Sequence, residues 1–210
     1  MKEPNKNCSK CNRLKNFRNE NKKKHPTWFN APVPSIIEIE SELLVVGLAP
    51  GVTGANRTGR PFTGDHAGLI LFNTLKKFGF SKGMYKENGY DDLELDNCSI
   101  TNAVRCVPPQ NLPNTIEIKN CETYLKSTIK SHKNLRIIIA LGLISHKSII
   151  SSFKFKQKDF KFGHKNKHDL TNNITLIDSY HCSRYNTNTK RLTQEMFDNI
   201  FIETKKILMN

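Results

Sequence analysis

A chain of 210 residues with 37% hydrophobic side chains can bury one core and is too apolar to be a disordered tail. No apolar run approaches the ~20 residues of a membrane span, and the Lys- and Asn-rich start lacks the apolar stretch of a signal peptide, so a cytoplasmic, reducing compartment is expected. Lysine and arginine outnumber aspartate and glutamate by 33 to 19, a net charge of +14, which points to a polyanion such as nucleic acid, with a merely solvated basic surface as the plainer alternative.

In chain order, residues 1–34 read as an arm that opens with the Cys8-x-x-Cys11 pair and ends in a proline-punctuated stretch. A buried strand is expected at 43–48, followed by a loop rich in Gly, Pro, Asn and Thr and an amphipathic helix over 66–78 whose N-terminal dipole faces that loop. Strands follow at 98–102, 135–141 and 174–178, with helices at 115–130, after Gly142 and at 193–208. The basic stretch 153–173 reads as an exposed loop or hairpin. Short apolar strands alternating with helices predict a single α/β domain over 1–210, its mainly parallel sheet covered on both faces.

Three of these strands run into polar sequence: GLAPG with GRPFTGD, TNAVRCVPP, and DSYHCSRYN. Their carboxyl ends meet on one edge of such a sheet, which brings Phe62, Asp65, Asn102 and His181 towards one pocket. Each has a plainer reading: Asp65 as a helix N-cap, Asn102 as a turn former, His181 as a structural histidine and Phe62 as core. Cys8 and Cys11 with the distant Cys106 and Cys121 offer four thiolates from remote segments, enough for a tetrahedral zinc site or a cubane iron–sulfur cluster; spacing does not separate the two. Cys98 and Cys182 stand apart as a buried thiol and a loop residue, and Lys22 to Lys24 and His164 to His168 read as a solvated face.

GLAPG followed by NRTGRPFTGD, ITNAVRCVPP with a downstream cysteine, and SYHCS followed by RLT resemble the family-5 uracil-DNA glycosylases, in order over nearly the whole chain. The resemblance implies a three-layer α/β/α sandwich around a four-stranded sheet and a [4Fe-4S] cluster on Cys8, Cys11, Cys106 and Cys121. It also implies excision of uracil, with hypoxanthine and other deaminated bases as further substrates. A base must leave the duplex for its glycosidic bond to be reached. Phe62 would stack on it within a pocket that includes Gly47, Leu48 and Ala49. Asn102 would read its edge, since one carboxamide can match uracil N3–H and O4 but mismatches cytosine. His181 would donate to O2 as charge develops there, and Asp65 would hold the attacking water. Family-4 relatives carry Glu directly after the first Gly of the loop, where this chain has Leu48.

By the same resemblance Arg60 meets DNA, and the loop carrying Tyr185, Arg191 and Leu192 supplies the wedge that fills the gap in the duplex. Two departures fall in that loop. Cys182 stands where the family has proline, which predicts a more mobile loop, and Lys190 replaces a glycine. Gly51, Gly54 and Ala55 predict room for larger rings. The expected state is a monomer on DNA, with recruitment by a sliding clamp left open. The rival readings are a non-catalytic nucleic-acid-binding module with a four-cysteine zinc site and a family-4-like enzyme restricted to uracil.

Overall fold

The computed structural model describes residues 1–171 and 173–209. Helix α1 (Asn12–Lys24) precedes β1 (Leu43–Gly47), the short α2 (Ala55–Thr58) and α3 (His66–Lys77). Next come β2 (Ser81–Lys82), β3 (Glu94–Leu95), β4 (Cys98–Asn102), α4 (Thr115–Ser131), β5 (Ile137–Leu141) and α5 (Leu143–Ser152). The hairpin of β6 (Lys167–Thr171) and β7 (Ile174–Ser179), then α6 (Arg184–Asn188) and α7 (Gln194–Met209), complete the chain.

The main sheet has the order β4-β1-β5-β7-β6, four parallel strands with β6 antiparallel on the edge. Strands β1, β4 and β5 are buried along their whole length, which is why β1 and β5 are nearly continuous Leu, Val and Ile, while β4 (Cys-Ser-Ile-Thr-Asn) buries small and polar side chains around Ile100. Alternation divides them between two cores. Leu43, Val45, Ile137 and Ile139 face α3 and α7, with Leu71, Phe72, Phe197 and Phe201; Leu44, Val46, Ile138 and Ala140 face α4 and α5, with Leu125 and Ile149. A third cluster of Leu14, Val104, Cys106, Cys121 and Tyr124 binds the N-terminal arm to the chain after β4.

The fifth strand is the main departure from expectation. It lies inside the stretch 153–173, of which Asn172 is outside the described residues, and its exposure pattern leaves Leu170 alone buried. Asp65 caps α3 by accepting from Gly68 N at 3.0 Å, and Asn114 forms a capping box with Glu117 at the start of α4. No described helix is long and apolar enough to cross a membrane.

Candidate active site

The carboxyl ends of β1, β4 and β7 deliver the expected residues to one place. Phe62, Asp65, Asn102 and His181 line a cavity of about 30 Å³ together with Ala49, which opens into a cleft of about 570 Å³ bounded by Leu48, Thr53, His66, Ser183 and Arg184. Gly47 lies beneath two of these side chains: a Cβ there would overlap both Asn102 Oδ1 and the Phe62 ring, so any larger residue closes the pocket floor. Asn102 is 3% exposed, and among the described residues its carboxamide has no hydrogen-bond partner, so both its donor and its acceptor are free to face the cavity.

Phe62 is held in the left-handed region, at φ +53°, a strained conformation for an aromatic residue. The surroundings impose it. Arg60 places Nη1 and Nη2 on Asp91 at 2.6 Å and donates from Nε to Thr63 Oγ1 at 2.7 Å, while Gly64 N donates to Tyr85 Oη at 3.1 Å. The Phe62 ring faces the imidazole of His181 with centroids 6.2 Å apart and planes 23° apart.

Asp65 divides its two oxygens between two tasks. Oδ1 caps α3, whereas Oδ2 lies beside Gly51 and Gly54, where a Cβ on Gly54 would collide with it. The space beside these glycines, expected to admit larger rings, is therefore filled by the carboxylate. His181 is half-buried, and burial pushes its pKa below the ordinary histidine value with Asp65 opposing. Its imidazole is neutral at neutral pH and can offer one N–H without a competing positive charge.

Burial likewise lowers the pKa of His132 and His164. The unfolded chain binds more protons at all three histidines, so their contribution to stability is full above the unfolded value of about 6.5 and is lost as pH falls below it. Asp91, held down at about 2 by Arg60, and Glu117, which burial pushes up but Arg13 and Asn114 N–H together bring below its ordinary value, act only under more acidic conditions. The melting temperature is expected to fall between about pH 7 and pH 5.5, and a constant value over that window would contradict the assignment.

The residues expected to meet DNA lie in different surroundings. Arg60 is an internal clamp on the loop rather than a free phosphate ligand, because Asp91 occupies its guanidinium and that carboxylate is fully buried. Leu192 is 1% exposed and packs in the core behind α3, its N–H tied to Asn186 O, so it cannot enter a duplex from this position. Tyr185 is 71% exposed on α6, and the Arg191 guanidinium lies 4.7 Å from the Tyr180 ring centroid.

Cys182 is buried and its Sγ donates to Ala67 O at 3.5 Å, which anchors the loop to α3 instead of loosening it. Two residues that the sequence does not single out secure the same loop. Asn186 donates to His181 O at 2.8 Å, and Thr187 Oγ1 lies 2.9 Å from His66 Nε2.

The stretch His164 to His168 is also less solvated than expected. His168 Nε2 lies 3.2 Å from Asp178 Oδ2, and His146 Nδ1 lies 2.7 Å from Oδ1 of the same buried carboxylate. Two ligands of one tetrahedral ion at ~2.05 Å would stand about 3.3 Å apart, so the shorter contact is a hydrogen bond and the trio is a clamp between α5, β6 and β7.

Cys8, Cys11, Cys106 and Cys121 surround a small cavity together with Arg18 and Tyr124. Burial raises the pKa of Cys106 to about 12 and of Cys121 to about 11, so these thiols stay protonated until a positive centre draws the protons off. The surroundings suit a group that is anionic overall once ligated. Arg18, 4% exposed, spends Nη1 and Nη2 on the carbonyls of Lys6 and Cys8 and leaves Nε unpartnered; Arg105, 1% exposed, leaves Nε and Nη1 unpartnered.

Residues 34–205 match the model of the uracil DNA glycosylase superfamily. The chain is 37% identical over 206 residues to a type-5 uracil-DNA glycosylase of Thermus thermophilus, covering 95% of this chain and 93% of the relative. It is 34% identical to a type-5 enzyme of Pyrobaculum aerophilum, over 90% of this chain and 84% of that one. A type-4 enzyme of Pyrobaculum aerophilum matches 69% of this chain and 60% of its own length at 36% identity. With four-fifths of its length matched by one family model and a pocket built at three strand ends, the chain belongs to the uracil-DNA glycosylase superfamily.

Proposed function

We propose that the protein is a monofunctional DNA glycosylase that hydrolyses the N-glycosidic bond of uracil in DNA and leaves an abasic site. The observation that carries this reading is the convergence of Phe62, Asp65, Asn102 and His181 on one cavity at the mouth of a wider cleft. The flipped base slides over the strained Phe62 ring, and Asn102 pairs with N3–H and O4. As the bond breaks, negative charge grows on the departing uracil and the neutral imidazole of His181 donates to O2. Asp65 Oδ2 receives the attacking water, a task that Leu48 at the cleft wall cannot perform. Tyr185, the exposed aromatic of the loop, fills the gap in the duplex, with Arg191 beside it. Hypoxanthine is a second substrate.

The four cysteines hold a [4Fe-4S] cluster whose role is structural. Bound, it would supply the positive centre that keeps the four thiolates ionised, Cys106 and Cys121 buried and Cys8 and Cys11 half-buried, and would tie the N-terminal arm to the start of α4. The arm matters to the site because Ala49 of the pocket packs against the cysteine cluster and Val104 N donates to Leu48 O.

Protein purified without oxygen is expected to be brown, with broad visible absorption that Cys106→Ser removes along with several degrees of melting temperature. Colourless protein carrying one equivalent of zinc would replace the cluster with the metal. In the same preparation, duplexes differing at one base should lose uracil and hypoxanthine and retain thymine and cytosine. Release of cytosine at the uracil rate would remove Asn102 from base reading.

A further inference from the structure

One basic segment lies outside the site described above. Between Phe153 and Asn166 the chain carries five lysines against one aspartate, with aromatic and basic residues interleaved. The fold sorts them by side. Phe153, Phe155 and Phe160 stack in a row, with successive centroids 6.0 and 5.2 Å apart, and Phe162 packs against His146 and Tyr180. Lys154, Lys156, Lys158, Lys161 and Lys165 are left exposed. Among the described residues none of these five forms an ion pair, whereas Lys77, Lys133 and Lys167 each meet a carboxylate. Like charges fixed on a stiff aromatic ladder repel one another, a cost relieved when an anionic partner arrives.

Topology brings the end of this ladder to the active edge. Because β6 runs antiparallel to β7, the chain enters it beside the carboxyl ends of the parallel strands. There Lys165 N donates to Asp178 O at 2.8 Å, Tyr180 N donates to His164 Nδ1 at 3.2 Å, and the rings of His164 and Tyr180 stack 5.1 Å apart. Tyr180 immediately precedes His181 and also meets the Arg191 guanidinium. Lys161 and Lys165 are thus tied through His164 and Tyr180 to the loop that delivers the leaving-group donor.

We propose that Lys158, Lys161 and Lys165 form a phosphate-binding rim that holds the backbone of duplex DNA beside the extruded nucleotide. The proposal rests on the DNA-excision reading above, but it concerns binding and is read without base release. Each lysine that neutralises a phosphate releases condensed counterions, which makes affinity fall with salt.

The test is fluorescence anisotropy on an unmodified duplex at several KCl concentrations, with the full chain carrying Lys158→Gln, Lys161→Gln and Lys165→Asn. Asparagine is chosen at 165 because that residue has φ +70°. The slope of log affinity against log salt is expected to shrink by about 0.9 for each phosphate that is no longer neutralised, so by roughly two to three units in the triple variant. Lys130→Gln with Lys133→Gln, at the opposite edge around the C-terminal end of α4, should leave the slope nearly unchanged. A wild-type slope in the triple variant, an equal loss in both variants, or no DNA binding by the wild type overturns the rim. Steep binding by a wild type that releases no uracil would instead defeat the excision reading and leave the rim standing.

Discussion

Replacing His181 by alanine is expected to slow uracil release at saturating enzyme by about 10²–10³-fold, roughly 3–4 kcal/mol of transition-state stabilisation, with little change in DNA affinity. The size follows from what the imidazole does. It lies at the edge of the cavity, its neutral form favoured by burial, and its backbone carbonyl is fixed by Asn186. A fixed donor costs no reorganisation when charge appears on the departing base, whereas water entering the space left by alanine must be oriented at that moment. Single-turnover measurement of base release reads the chemical step directly. A loss smaller than about tenfold would make His181 a packing residue beside Phe62.

Asp65→Asn is expected to lower the same rate by about 10²–10⁴-fold while leaving the melting temperature within a degree or two. This variant separates the two tasks of the side chain. Asparagine caps a helix about as well as aspartate, so the bond from Gly68 N to Oδ1 persists. What disappears is the negative charge on Oδ2, held beside Gly51 and Gly54 at the cavity wall. If the role were only to cap α3, Asp65→Asn would be nearly silent in both assays, and Asp65→Ala would lose stability with a proportionate loss of activity. Rate lost without stability is the signature of a group that orients or activates water.

The legible part of the fold is the part whose pattern is set by burial. Strands β1, β4 and β5 announce themselves because both faces are covered, and α3 because a polar cap precedes an amphipathic run. Helix α1 is hidden in the sequence, since the residues it buries are Leu14, Arg18 and Asn21, a helical stripe made mostly of polar side chains. Strand β6 is hidden because an edge strand on a β-hairpin buries so little.

The site shows the same division. Phe62, Asp65, Asn102 and His181 each sit beside a strand end or a helix start, where local sequence fixes position. Asn186 acts through a loop-closing bond to His181 O that periodicity does not encode, and Asp91 through a contact to Arg60 from 31 residues away, which order along the chain does not reveal. Leu192 looks like a wedge by order along the chain, yet a turn closed by its own N–H folds it inward. The exchange of proline for Cys182 predicts looseness, and a buried thiol bonded to Ala67 O supplies the anchor instead.

Whether this pocket cuts a glycosidic bond is tested most directly by chromatographic detection of free uracil from a duplex with one deoxyuridine, using wild-type protein in excess and His181→Ala alongside. One equivalent of free uracil and one alkali-labile abasic site per duplex are expected, with the variant slower by the factor given above. Tight DNA binding with no free uracil from wild-type protein carrying its full complement of metal would contradict this, and would make the chain a binding module built on a glycosylase fold.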